Sequence, residues 1–227
     1  MKKVIKIILL VALTSILSTS CKRNIKEDKP KFVMELPDTS RTHTPDLCFE
    51  KIKRYTEELN LNKLWLGNDS FELRLWVKVE VLTGGHVYII KKINNKWDCI
   101  HYFYIESRRD FSSSSYLANR TIDTFWVKKL QPKTNWNNFF KQIEKENIYK
   151  LPSQDDIKGW ENIVEDGITY KVEIATKNKY KFYYYNCPDV YKKKFIECNQ
   201  MTNILDVFDK EFGFDFVMFG NYKCAND

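Results

Sequence analysis

Between Phe71 and Asn186 the chain alternates apolar and polar residues in short runs, and that period of two marks strands. Phe71–Leu82 sets Phe71, Leu73, Leu75, Val77, Val79 and Val81 on one face. Thr83-Gly84-Gly85 reads as a turn, because glycine adopts positive φ without strain. His86–Ile93 is the return strand, Asn94-Asn95-Lys96 the next turn, and Trp97–Glu106 and Thr121–Leu130 are two further strands. Ile168–Thr176 and Tyr180–Asn186 form a hairpin across Lys177-Asn178-Lys179. Ser107 to Arg120 and Ser153 to Gly167 are polar and read as loops.

Elsewhere the apolar spacing is three and four. Thr44-Pro45 places an N-cap and a first-turn proline ahead of Leu47, Ile52, Tyr55 and Leu59, which predicts a helix over Pro45–Asn60. Trp136, Phe139, Phe140, Ile143 and Ile148 mark a second helix from Asn135 to Asn147, stopped by Leu151-Pro152. Tyr191, Phe195, Cys198, Met201, Leu205, Phe208 and Phe212 predict one long last helix. Strands joined by short turns, with helices between them, predict an α+β fold. The expected architecture is an antiparallel sheet of about six strands with helices packed mainly on one face. The alternative is two smaller subdomains joined near Lys133.

The N-terminus follows another pattern. Lys2, Lys3 and Lys6 precede the apolar run Ile7–Leu13, and Leu17-Ser18-Thr19-Ser20-Cys21 ends it. This is the three-part layout of a secretory signal. Thr14, Ser15 and Ser18 interrupt the run before the roughly 20 residues that a membrane-spanning helix needs. The end of the segment resembles the lipobox of bacterial lipoproteins, in which small residues precede a cysteine that is lipidated and becomes the mature N-terminus. The resemblance implies a signal peptide over residues 1–20, lipidation of Cys21, and a membrane partner reached through that anchor. Residues 21–43, charged and carrying Pro30 and Pro37, read as a tether, and residues 44–227 as a single α+β domain. The expected location is the cell envelope. Lys22 after the cysteine points to the outer membrane, and Lys26-Glu27-Asp28 resembles a surface-export signal, so the periplasmic and surface sides stay open.

Export changes how charge and cysteines are read. Removing Lys2, Lys3 and Lys6 leaves 34 basic against 30 acidic residues, a net charge of +4 in place of +7. That modest excess, with no basic cluster, argues against a nucleic-acid partner. Five cysteines remain beside Cys21, in a compartment that favours disulfides. Cys187–Cys198 is a candidate bridge, but only if the chain loops back. Ten residues of continuous helix would separate the two by roughly 15 Å, and a bridge spans at most about 7 Å. The unbroken stripe of the last helix argues against such a loop, and connectivity stays open among the five.

Candidate chemistry is sparse. Cys99 and His101 share a strand face, but no spacing supplies the third and fourth ligands that zinc requires. His86, near Glu80 or Glu106, is a candidate general base, as is His101. No nucleophile motif, calcium loop or phosphate-cradling glycine loop accompanies them, and no cofactor is expected. The second face of the sheet is more distinctive. It carries Arg74 and Trp76, with Tyr88, Tyr102, Tyr183 and Tyr185 as further candidates, and Trp, Tyr and Arg are the residues enriched at binding hot spots.

Glu72-Leu73-Arg74-Leu75-Trp76, Gly84-Gly85, Lys96-Trp97, Leu151-Pro152, Asp166-Gly167-Ile168-Thr169-Tyr170-Lys171-Val172-Glu173 and Tyr183-Tyr184-Tyr185-Asn186 with Pro188 together resemble uncharacterised bacterial envelope lipoproteins. That resemblance implies no activity. The expectation is therefore a non-enzymatic, lipid-anchored module that binds a protein or glycan, with an immunity or inhibitor lipoprotein as one version. The alternative is a periplasmic hydrolase using His86 or His101.

Overall fold

The computed structural model describes residues 32–40, 44–80, 82–107, 121–161, 167–213 and Cys224. Their fold is α+β, built on one mixed sheet of seven strands in the order β1-β7-β6-β2-β3-β4-β5. The strands are β1 (Val33–Glu35), β2 (Glu72–Val79), β3 (Gly84–Ile93), β4 (Lys96–Glu106), β5 (Ile122–Leu130), β6 (Ile168–Thr176) and β7 (Lys179–Asn186). All neighbours are antiparallel except β1, which runs parallel to β7. The helices are α1 (Thr44–Glu58), α2 (Trp136–Lys145), α3 (Pro188–Tyr191) and α4 (Ile196–Phe212). Among the described residues no helix is long and apolar enough to cross a membrane.

The β3–β4 turn forms as its sequence requires. Asn94 and Asn95 both take positive φ, 49° and 61°, the geometry that matches a two-residue turn to the twist of its strands. Gly84 and Gly85 behave differently from expectation. They lie inside β3, and neither is among the residues with positive φ. Gly85 faces Tyr104 across the β3–β4 ladder, and a Cβ at Gly85 would sit 2.3 Å from the Tyr104 hydroxyl. Glycine is needed there for close approach of an aromatic ring, not for a turn.

Two layers of side chains flank the sheet. On the first face Leu73, Leu75, Val77 and Val79 of β2 join Tyr88, Ile90, Val172 and Ile174, packed under Phe139, Phe140 and Ile143 of α2 and Met201, Leu205 and Phe208 of α4. Asn135 caps α2 by accepting a hydrogen bond from the Asn138 amide, and Glu211 of α4 accepts from both the amide and hydroxyl of Thr134 at 2.9 Å. On the second face α1 lays Ile52 and Tyr55 over Trp76, Val87, Ile89, Tyr104, Phe182 and Tyr184.

Helices α2, α3 and α4 thus pack on the first face and α1 alone on the second, and the sheet is a mixed one of seven strands where an antiparallel one of about six was expected. α1 enters from the β1 edge and closes the face that the alternation of β2 leaves polar. β1 falls in the stretch expected to be tether. It is held to β7 by the Val33 amide donating to Asn178 O at 2.9 Å and by Lys179 pairing with Glu35 at 2.7 Å. The single last helix is also corrected. Lys192–Lys194 form a turn between α3 and α4, although the residues on either side keep helical spacing.

Candidate functional site

The six residues expected to share an open recognition surface are divided by the sheet. Arg74 and Trp76 point to the second face beneath α1, and Tyr102 packs at the margin of the same cluster, half-buried. Tyr88, Tyr183 and Tyr185 belong to the first-face core. The register explains the split. Tyr183 stands opposite Val172 on β6, so its ring joins the aliphatic layer and its hydroxyl donates to Ile148 O at 2.9 Å. Tyr185 reaches Pro152 O at 2.8 Å. Five of the six are buried, so they do not form the exposed surface expected of them.

What lies under α1 is a layer of paired charges. Arg74 Nε donates to Glu72 at 2.7 Å, and Arg74 Nη2 donates to Asn62 O at 2.8 Å. Directly across the β2–β6 ladder, Glu173 accepts from Trp76 Nε1 at 2.7 Å and Tyr180 Oη at 2.9 Å, with Arg74 Nη1 3.7 Å away. Lys78 lies 2.9 Å from Glu106, which also accepts from the Tyr55 hydroxyl. Lys51 and Lys171 approach Glu80 at 3.3 Å and 3.8 Å.

Burial and pairing act in opposite directions on these acids. Complete burial pushes the Glu173 carboxyl up, against Arg74 and its hydrogen-bond donors. At Glu80 burial also pushes up, but Lys171 and Lys51 outweigh it and hold the carboxyl down at about 2. Burial and then the Glu106 charge push the Tyr55 phenol well up. A buried charge must be paired and hydrogen-bonded to be tolerated, and these groups meet that demand from within the chain.

The two candidate histidines do come together, on the first face. His86 Nδ1 lies 2.9 Å from His101 Nε2, with the rings stacked at 5.1 Å, and Tyr88 stacks on His101 at 4.4 Å. Burial, reinforced by His101, lowers His86 to about 3. Glu80 and Glu106, the carboxylates expected beside it, are engaged on the opposite face. Cys99 is buried and free, and burial pushes its thiol up, which disfavours the thiolate.

The expected Cys187–Cys198 pairing is replaced by Cys187–Cys224. Cys198 sits in the first turn of α4, buried and free, while Cys187 takes a left-handed conformation ahead of α3. Cys187, Asp189 and Cys224 cluster closely enough to suggest a cation site, but both thiols are consumed by the disulfide. Cys21 lies outside the described residues.

The exposed aromatic surface lies at the sheet edge, on β5. Phe125, Trp126 and Val127 are 44%, 53% and 51% exposed. Trp126 stacks on Phe103 at 5.3 Å, and Phe125 contacts Tyr102 at 5.8 Å, so rings line both faces of the edge. Sequence reasoning placed β5 correctly but gave it no role. The available signal was three consecutive bulky residues in a strand, of which a half-buried strand should hide only alternate ones. At the far end of the sheet, Phe71, Tyr149 and Ile174 with Lys179 and Lys181 line an open groove of about 330 Å³. Neither histidine reaches it. No family model, curated protein or solved structure matches the chain.

Proposed function

We propose that the chain is a lipid-anchored cell-envelope protein acting as a non-enzymatic binding module for a protein or a glycan. The anchor reading rests on the basic, apolar and small-residue pattern ending at Cys21. The binding reading rests on the aromatic edge of β5, because Phe125, Trp126 and Val127 stay about half exposed side by side, and a contiguous exposed apolar patch marks an interaction site. The polar groups under α1 support the same reading. They are engaged with one another, in an arrangement suited to holding a helix and not to turning over a substrate.

The hydrolase alternative draws on the His86–His101 pair. A base poised near neutral pH is the useful one, and His86 at about 3 is far below that range. Replacing Cys21 with Ala should abolish lipid labelling and release the protein from the membrane fraction. Retained labelling would refute the anchor site. For the binding surface, Trp126→Ala should lower retention on immobilised envelope proteins or cell-wall glycans. The buried-site control Trp76→Phe should leave retention unchanged.

A further inference from the structure

We propose that β5 pairs with β5 of a second copy of this chain, joining two sheets into one across a two-fold axis at Trp126. The inference rests on the binding-module reading and names its partner. β5 ends the sheet and carries nine residues with almost no cover, whereas the opposite edge, β1, has three residues and is braced by Lys179 and Lys181 on Glu35. Long, apolar, uncovered edges are sites of strand addition.

The sequence of β5 says which strand fits. In an antiparallel two-fold pair the residue on the axis faces itself, and positions equidistant from it face each other. Centred on Trp126, Phe125 meets Val127, Thr124 meets Lys128, Asp123 meets Lys129, and Ile122 meets Leu130. Every apolar residue is matched by an apolar one, and the single acid is matched by a lysine, twice by symmetry. Shifting the centre to Phe125 or Val127 loses the Asp123–Lys129 match. Both charged groups are available. Lys129 is 79% exposed and its one ion pair among the described residues, with Asp98, is long at 3.9 Å, and Asp123 makes no ion pair among the described residues. On one face the two Trp126 rings extend the Phe103–Trp126 stack into the partner, and on the other Phe125 and Val127 extend the Tyr102–Phe125 contact.

Lysines at a strand end also keep foreign edges away. Here Lys129 repels an unmatched strand and accepts only one that offers an acid at the mirrored position, which this chain does.

The test is a charge swap read by sedimentation of the full-length chain in detergent. Wild type should sediment as a concentration-dependent dimer. Asp123→Lys and Lys129→Asp should each weaken dimerisation by about tenfold or more, because each sets like charges opposite one another at two symmetric places. The double variant should restore it. A monomeric wild type, or a double variant no tighter than the singles, overturns the proposal. A monomeric wild type whose Trp126-dependent retention on envelope components persists would overturn self-pairing while leaving the binding-module reading intact.

Discussion

The two faces of the sheet solve the same problem by different chemistry. The first buries aliphatic and aromatic side chains against α2 and α4. The second buries Glu72, Arg74, Lys78, Lys171 and Glu173 against α1, interleaved with Trp76, Tyr180 and Phe182. Apolar packing is non-directional and tolerates repacking, whereas a buried charge tolerates only its own partner. The first face therefore sets how much stability the domain has. The second fixes where α1 sits.

The largest effect should separate these roles. Glu173→Ala removes the acceptor of Trp76 Nε1 and Tyr180 Oη and leaves Arg74 with Glu72 as its one buried acid, at a cost of about 3–5 kcal/mol. Phe139→Ala on the other face should cost a similar amount by leaving a cavity. Coupling tells them apart. Arg74→Met combined with Glu173→Met should cost less than the sum of those two single changes, by about 1–3 kcal/mol, because Glu173 is then not left buried without Arg74; Glu72 loses Arg74 in the single and the double alike, so that loss cancels in the cycle. Phe139→Ala combined with Ile52→Val, on opposite faces, should be additive within about 0.5 kcal/mol. Urea denaturation measures both cycles, and additivity between Arg74 and Glu173 would break the comparison.

Sequence pattern made the first face legible and left the second obscure, for a physical reason. Leu73, Leu75, Val77 and Val79 alternate in one strand, so a local period finds them. Glu72, Arg74 and Lys78 alternate with them and look solvent-facing. They are buried because Glu173 comes from β6 and Glu106 from β4, brought alongside only by the fold. The same limit divided the expected Arg74–Tyr185 surface, since which face Tyr183 and Tyr185 take depends on the register of β7 against β6. The apolar stripe of α1 was visible, but not the face it would cover. Cys187–Cys224 was one of several open pairings, and spacing alone could not select it.

A smaller effect should come from Gly85, where the second face meets a backbone. Gly85→Ala forces a methyl into the Tyr104 ring, which is itself buried, and should destabilise by about 1–3 kcal/mol. Were Gly85 there for a turn conformation, the penalty would persist whatever residue stood at 104. Since close approach is the cause, a Tyr104→Val background should remove most of it. An undiminished penalty in that background would show that backbone conformation is the cause.

Acid titration gives a small effect per pH unit but the most resolving comparison, because each face carries a group that responds over a different, partly overlapping pH window. On the first face His86 falls from its ordinary 6.5 to about 3. The unfolded chain takes up its proton first, so stability is lost as pH drops from about 6.5 towards 3. On the second face Glu80 falls from 4.5 to about 2. Its ion pairs contribute fully above about pH 4.5, and that contribution is lost on the way down to 2. Each group has a limiting slope of about 1.4 kcal/mol per pH unit. A quarter of the Glu80 side chain is open to solvent, so its real slope should be lower. His86→Gln should flatten the stability profile from about pH 6 down to about 3, and the part of the fall between about 4.5 and 2 that belongs to Glu80 should remain. Glu80→Gln should shallow only the limb below about 4.5 and leave the fall between pH 6 and 5 in place. Stability measured by denaturant midpoints across this range checks both, and a His86→Gln profile that still falls between pH 6 and 5 would assign that limb to another group.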